Sequence, residues 1–327
     1  MRQEHFEQKH AKLWDEYIAI QKFMDKKKSH EKINLDIVHF PHMYRKICNH
    51  YAIALSRQYS PALVSRLHNM VLSGHKKIYK KETFRLYNIV QFFTHTFPVT
   101  FRRNVIYFII ALLLFLIPAV GTGVSCFIKH DLIYSIMGEG QVAEFEYMYD
   151  PANRSTGRLQ KQKSDTSVMM FGYYIKNNIS IGFRTFAGGM LAGIGSLFFL
   201  IYNGIVLGGV SGHVTRLGFT ETFWPFVSGH GAFELTAIII SGMAGLVLAK
   251  AIIAPGNFSR GDALKHKSQS ALNLILGAAS MLFIAAFIEA FWSPLKIPVG
   301  IKYSAAGVLW FIVIFYLNSA GKRRYQR

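Results

Sequence analysis

Cysteine is nearly absent from this chain: Cys48 and Cys126 are the only two in 327 residues. Two such residues build neither a disulfide framework nor a thiolate metal cluster. Cys126 lies at the end of an apolar run and reads as a small hydrophobe. Acidic residues are also scarce, 18 Asp+Glu against 37 Lys+Arg, which leaves a net charge of +19. Aspartate is missing from every long apolar segment, so the paired aspartates of an intramembrane protease are excluded. Ser228 stands near His230, but in a turn-like Ser-Gly-His-Gly stretch that does not pair nucleophile and base. No secretory signal is visible, because about a hundred charged and amphipathic residues precede the first apolar run. That run is therefore expected to be a transmembrane anchor, and the protein is not expected to be an enzyme.

Apolar residues are plentiful. Hydrophobic types make up 51% of the chain and the mean hydropathy is +0.23, values that with runs of this length place the protein in a bilayer. Segments long enough to cross are Asn104–Phe127, His230–Ala254, Ala271–Trp292 and Ser304–Ala320. Between the first two lies the weakly polar stretch 179–214. As one helix it would run roughly 54 Å against a core of ~30 Å. It is either one strongly tilted helix or a hairpin turning near Gly193-Ile194-Gly195.

Charge favours the hairpin. Residues 1–103 carry 19 Lys+Arg against 8 Asp+Glu. Lys250, Arg260, Lys265 and Lys267 follow the His230 segment, and Lys322, Arg323, Arg324 and Arg327 close the chain. Residues 128–177 balance six basic against six acidic groups, and 215–229 hold only Arg216 and Glu221. The positive-inside rule puts the three basic regions in the cytoplasm, which requires an even number of spans, here six. The expected organisation is a cytoplasmic basic helical domain over 1–103, a transmembrane helical bundle over 104–321 and a basic tail over 322–327. Residues 128–177 form an outer amphipathic and loop segment, with Met137 to Met148 as a short interfacial helix. The fold class is all-α, and the location expected is the cell inner membrane with both termini inside.

The N-terminal region has helical periodicity. Phe6, Leu13, Tyr17, Ile20 and Met24 share one face, and Ser60-Pro61 reads as an N-cap followed by proline at the first helical position. From there Leu63, Leu67, Val71 and Ile78 continue toward Phe97-Pro98. Its basic surface suits anionic lipid head groups or plain solvent. Nucleic acid is not an expected partner, because no recognition module accompanies the charge.

Ionisable groups within apolar segments are expensive and functional by default. Arg184, His230, Glu234 and Glu289 are such groups, and the six-span topology puts all four in the outer half of the bilayer. Arg184–Glu289 or Arg184–Glu234 are the natural ion pairs. Asn177 and Asn178 open the second span, His213 ends the third, Ser293 follows Glu289, and Asn203 is placed to hydrogen-bond across helices. His230 and Glu234 are spaced i,i+4 as helical metal ligands are, but a zinc enzyme uses three protein ligands, only His213 is an obvious further candidate and the His-Glu-x-x-His pattern is missing, so neither a metal nor any cofactor is expected. Gly204-x-x-x-Gly208-x-x-x-Gly212 offers a smooth face for close helix contact, within the bundle or between subunits of a homo-oligomer.

Several of these stretches resemble the stage II sporulation protein M (SpoIIM/DUF95) family of integral membrane proteins. The matching pieces are Asn177-Asn178, Asn203-Gly204-x-x-x-Gly208, Ser228-Gly229-His230-Gly231-x-x-Glu234 and Ile288-Glu289-Ala290-x-x-Ser293-Pro294. Tyr59-Ser60-Pro61-Ala62-Leu63-Val64 and Gly74-His75 resemble the N-terminal regions of non-sporulating members. The resemblance implies a non-enzymatic membrane scaffold or assembly factor for a cell-envelope complex. The alternative is a transporter or channel that uses the polar cluster. It further implies neighbours such as a MoxR-type AAA+ ATPase, a DUF58 protein and an RDD-type membrane protein, and it supplies no catalytic residues.

Overall fold

The computed structural model describes residues 2–25, 39–78, 86–153 and 164–321. All regular structure among them is helical. The chain divides into two compact units, Met1–Arg85 and Leu86–Arg327.

The first unit is a three-helix bundle of α1 (Gln3–Asp25), α2 (Phe40–Ser56) and α3 (Pro61–Ile78). Phe6, Trp14, Tyr17 and Ile20 of α1 recur at helical spacing and pack on Phe40 and Ile47 of α2 and Leu67 of α3. Trp14 is more deeply buried than Leu13, which only flanks this core. The side chain of Met24 lies outside the described ones. Ser60 caps α3 as its sequence indicates: its Oγ accepts from the Leu63 amide at 3.4 Å, with Pro61 opening the helix. Gln3 locks the same corner, donating to Ser60 Oγ at 2.8 Å and accepting from the Ser60 amide at 2.9 Å. Gly74 has a direct cause, since a Cβ there would stand 1.8 Å from the Tyr17 hydroxyl oxygen.

The second unit begins with α4 (Leu86–Gln91), a π turn (Phe92–Thr96) and α5 (Phe97–Arg103). This segment belongs to the second unit, so the division falls at Arg85 rather than at 103. The Tyr316 hydroxyl donates to the Phe93 carbonyl at 2.6 Å. Arg102 donates to the carbonyls of Leu317 and Ala320 at 2.9 and 2.6 Å. A guanidinium at orphan C-terminal carbonyls answers both their hydrogen-bonding need and the helix dipole.

The bundle proper consists of α6 (Val105–Ile128), α8 (Ser164–Ala187), α9 (Ile194–Arg216), α10 (Thr220–Ile253), α11 (Arg260–Phe287) with its π-helical continuation Ile288–Trp292, and α12 (Val299–Ser319). A 3₁₀ turn (His130–Ser135) and the short α7 (Glu139–Tyr149) stand between α6 and α8. Five of the helices, α6, α9, α10, the continuous α11 and α12, are long and apolar enough to cross a membrane. The central one is α10, whose Ile240, Met243 and Ala244 are fully buried among Leu200, Leu274, Ala278 and Leu282.

The stretch 179–214 is a hairpin, not one tilted helix. Its turn is Gly188–Met190 followed by Leu191–Gly193, one step earlier than the Gly193-Ile194-Gly195 expected. Ala192 and Gly193 adopt φ of 50° and 87° there. A Cβ on Gly189 would lie 2.2 Å from the Gly245 carbonyl oxygen of α10, so the turn fits only because both residues are glycine. The preceding helix starts at Ser164, well before 179, so Asn177 and Asn178 lie inside α8 rather than at its start. α10 likewise starts ten residues before His230, through Pro225. α11 starts at Arg260, where Ser259 Oγ accepts from the Asp262 amide at 3.2 Å. Lys302 falls inside α12 rather than ahead of it.

The glycine stripe of α9 packs within the bundle. Cβ atoms at Gly204, Gly208 and Gly212 would lie 2.3, 2.0 and 2.1 Å from the carbonyl oxygens of Phe115, Ala119 and Gly123. The three contacts advance in the same direction along both helices, so α6 and α9 run parallel with touching backbones. Thr122 crosses the seam, donating to the Ile205 carbonyl at 3.1 Å.

Candidate functional site

His230 and Glu234 sit one turn apart on α10 and therefore on one face. Opposite them, α11 widens into the π turn Ile288–Trp292, closed by the Ser293 amide donating to the Ile288 carbonyl at 2.8 Å. Such turns insert an extra residue and re-aim side chains, and they recur at functional sites. Here the turn brings Glu289 and Ser293 against α10. One ligand-capable atom each from His230, Glu234 and Glu289 falls within 4.8 Å of the others. Nε2 of His230 is 3.6 Å from Glu234 Oε2, and Nδ1 is 3.2 Å from Ser293 Oγ. The Asn178 amide of α8 donates to Glu289 Oε2 at 3.5 Å, and Asn177 donates to the Asn178 side-chain oxygen at 3.2 Å.

Packing fixes this constellation. A Cβ on Gly229 would stand 2.3 Å from the Trp292 ring, so only glycine lets the indole seat beside His230. Phe226 meets the His230 ring edge-on at 5.5 Å. Ser293 is fully buried and receives a further bond from Lys302, whose equally buried ammonium donates to the Ser293 carbonyl at 2.7 Å.

The cluster opens on a cavity of about 230 Å³. Its polar lining is His230, Glu234, Glu289 and Asn203, and its walls include Phe115, Val210 and Phe226. Phe145 and Tyr149 of α7 complete one end. Gly231 has open space where a Cβ would stand. A larger hollow of about 430 Å³ between α6, α9 and α10 carries no ionisable group.

Three of the four groups singled out in the sequence therefore meet, and Arg184 does not join them. α8 runs beside α10 with Gly182 at Ser241 and Gly189 at Gly245. Arg184 thus lies near the hairpin turn, six residues beyond Asn178, which is roughly 9 Å along the axis and about 120° around it. It is exposed, while Asn178, Gly182 and Thr185 form the inward stripe. The proposed Arg184–Glu289 and Arg184–Glu234 pairs are replaced by His230 and the Asn178 amide as neighbours of the carboxylates. His213 is also elsewhere: its Nε2 lies 2.7 Å from Glu146 Oε1 of α7, and its ring stacks on His130 at 6.2 Å. Asn203 lines the cavity, but its amide donates to the Phe199 carbonyl of its own helix at 2.6 Å rather than across helices. Lys302 escaped sequence reasoning because it sits at the edge of its apolar run. Its one signal is a lone lysine two residues before a segment otherwise free of charge. Glu289, and not His213, is the third ligand-type group beside His230 and Glu234.

Architecture and site together define an all-α polytopic membrane protein with a polar cluster inside its bundle. A family model described as Stage II sporulation protein M matches residues 105–294. The chain belongs to that family, SpoIIM, which is not a known enzyme family. A second model, described as a domain of unknown function (DUF8413), matches residues 4–80. Comparison with curated proteins and with solved structures gives no match.

Proposed function

We propose that this protein binds a small cationic solute or ion in the cavity beside His230, Glu234 and Glu289 and conducts it across the membrane. One observation carries this reading: two carboxylates and an imidazole converge on a partly open hollow whose remaining walls, Asn203 apart, are mainly apolar. Each intramembrane carboxylate costs at least ~2.5 kcal/mol to place. Interhelical adhesion alone needs neither two of them nor a hollow. The distribution of Lys and Arg supports an orientation in the inner membrane with both termini in the cytoplasm, and α8 then serves as the sixth crossing.

Reconstituted protein should move a cation down its gradient, and Glu289→Gln should abolish that movement while the protein remains folded and monodisperse. Absence of flux in the native protein, with collapse of the Glu289→Gln variant, would make the cluster a structural element.

A scaffold role is the second reading, and the observation favouring it is the N-terminal helical unit, compact by itself and matched by its own family model. In this reading that unit docks a cytoplasmic partner such as a MoxR-type ATPase, alongside DUF58 and RDD-type proteins, and the bundle works as a homo-oligomer. Crosslinking from the surface of α1 to α3 that captures no specific protein would count against it.

A further inference from the structure

We infer that the cavity cluster is a binding site for one divalent first-row transition-metal ion, with His230, Glu234 and Glu289 as its protein ligands. The inference rests on the cation-binding reading above and names the ion class.

Geometry is the first support. Metal–ligand bonds of about 2.0–2.2 Å to imidazole nitrogen and carboxylate oxygen give a tetrahedral ligand–ligand edge of roughly 3.4 Å. The His230 Nε2 to Glu234 Oε2 separation of 3.6 Å already has that length. The whole set spans no more than 4.8 Å, so small rotations of Glu289 close the remaining distance.

The partners behind the ligands are the second support. A ligating histidine characteristically turns its other ring nitrogen to an oxygen that fixes tautomer and orientation, and ligating carboxylates are hydrogen-bonded in turn. His230 Nδ1 faces Ser293 Oγ at 3.2 Å, which turns Nε2 toward Glu234 Oε2 at 3.6 Å. Ser293 is held through its carbonyl by Lys302 at 2.7 Å, and Asn178 donates to Glu289 Oε2 at 3.5 Å. These arrangements orient both sides of the set before any ion arrives.

Charge and ligand type choose the ion. Two carboxylates balance one divalent cation, which removes the cost of keeping both ionised inside a bundle. An imidazole ligand suits zinc, iron, nickel or copper, whereas magnesium and calcium take oxygen donors. Three protein ligands leave open positions facing the 230 Å³ cavity, so the ion stays exchangeable instead of being sealed in as in a structural zinc site.

The test uses full-length protein in nanodiscs, stripped with chelator and titrated with Co²⁺ and Zn²⁺. Expected is one ion per chain by elemental analysis, with a visible Co²⁺ absorption band displaced by Zn²⁺ and not by excess Mg²⁺ or Ca²⁺. Glu234→Gln and Glu289→Gln should each weaken binding about 100-fold or more. Ser293→Ala, which touches no ion, should weaken it about 10-fold, in the range for partners of metal ligands. If a glutamine variant does not fold, Glu289→Asp keeps the charge and should shift the Co²⁺ band. A protein that binds no Co²⁺ at micromolar concentration overturns the inference, as does binding that survives both glutamine variants or a site that takes Mg²⁺ equally well. Flux assayed on the same proteins reconstituted into sealed vesicles separates the two readings. Binding without flux sinks the transport function and keeps the metal site, whereas Glu289-dependent cation flux without metal binding does the reverse.

Discussion

Each compact unit buries a histidine whose Nδ1 is engaged by a neighbour, yet the two rings have opposite surroundings. In the N-terminal unit, His50 Nδ1 accepts from the Trp14 indole N–H at 3.1 Å, and the ring lies tilted against His10 at 4.0 Å beside Phe6. Burial first, then the nearby charges of His10 and Lys46, push His50 down to about 4. His230 instead has a hydroxyl at Nδ1, two carboxylates around Nε2 and open volume beside it. A ring clamped between an indole donor and a second histidine is held neutral and acts as a packing piece. The same ring facing acids and a hollow is available to a cation. What separates core from site is the set of groups at the second ring nitrogen, not burial of the histidine.

The contrast predicts a double dissociation. His230→Ala should lower metal binding and flux about 100-fold while barely changing the stability of the N-terminal helices. His50→Ala should leave binding intact and destabilise that unit by about 2 kcal/mol, as core truncations do. Paired titrations and limited proteolysis of both variants measure this, and equal effects in both assays would erase the distinction.

A smaller effect should appear with pH. His50 has a folded-state value depressed below its ordinary 6.5, so the unfolded chain takes up its proton first. Stability of the N-terminal unit is then fully present above pH 6.5, declines as pH falls toward about 4, and changes no further from this group below that, by up to about 3 kcal/mol in all. His50→Phe should flatten the profile measured by protease susceptibility. A native protein with no loss between pH 7 and 4.5 would show that His50 is not held neutral.

The least perturbing test is Gly231→Ala. Nothing stands within 4 Å of the added methyl, so folding should improve slightly, by up to ~1 kcal/mol from helix propensity. Because that residue lines the cavity, ion binding should fall by less than about 10-fold. Gly229→Ala, which meets Trp292, should instead weaken folding and binding together.

Local pattern made part of this legible. The i,i+4 pair His230–Glu234 and the lone Glu289 could be read as one polar group because apolar runs advertise every charge within them. The Ser60 cap and the glycine stripe were equally readable, being backbone chemistry at fixed spacing. Depth along a helix was not. Placing Asn177 at the start of a span put Arg184 two turns inside its outer end, whereas α8 ends at Ala187 and leaves that arginine beside the turn. Partners distant in sequence were hidden too: Glu146 reaches His213 across 67 residues, and Lys302 is buried only by the way α12 docks.

The α6–α9 seam has a consequence for how the protein is made. Its carbonyl-to-glycine contacts join residues 89 positions apart, as Gly208 and Ala119 are. Because the two helices run the same way, the chain must return through α8 before α9 can lie alongside α6. The first membrane helix therefore leaves the ribosome long before its partner exists, with its notch at Ala119 and Gly123 uncovered. Assembly of this bundle is thus a waiting reaction, and α6 is the element that waits.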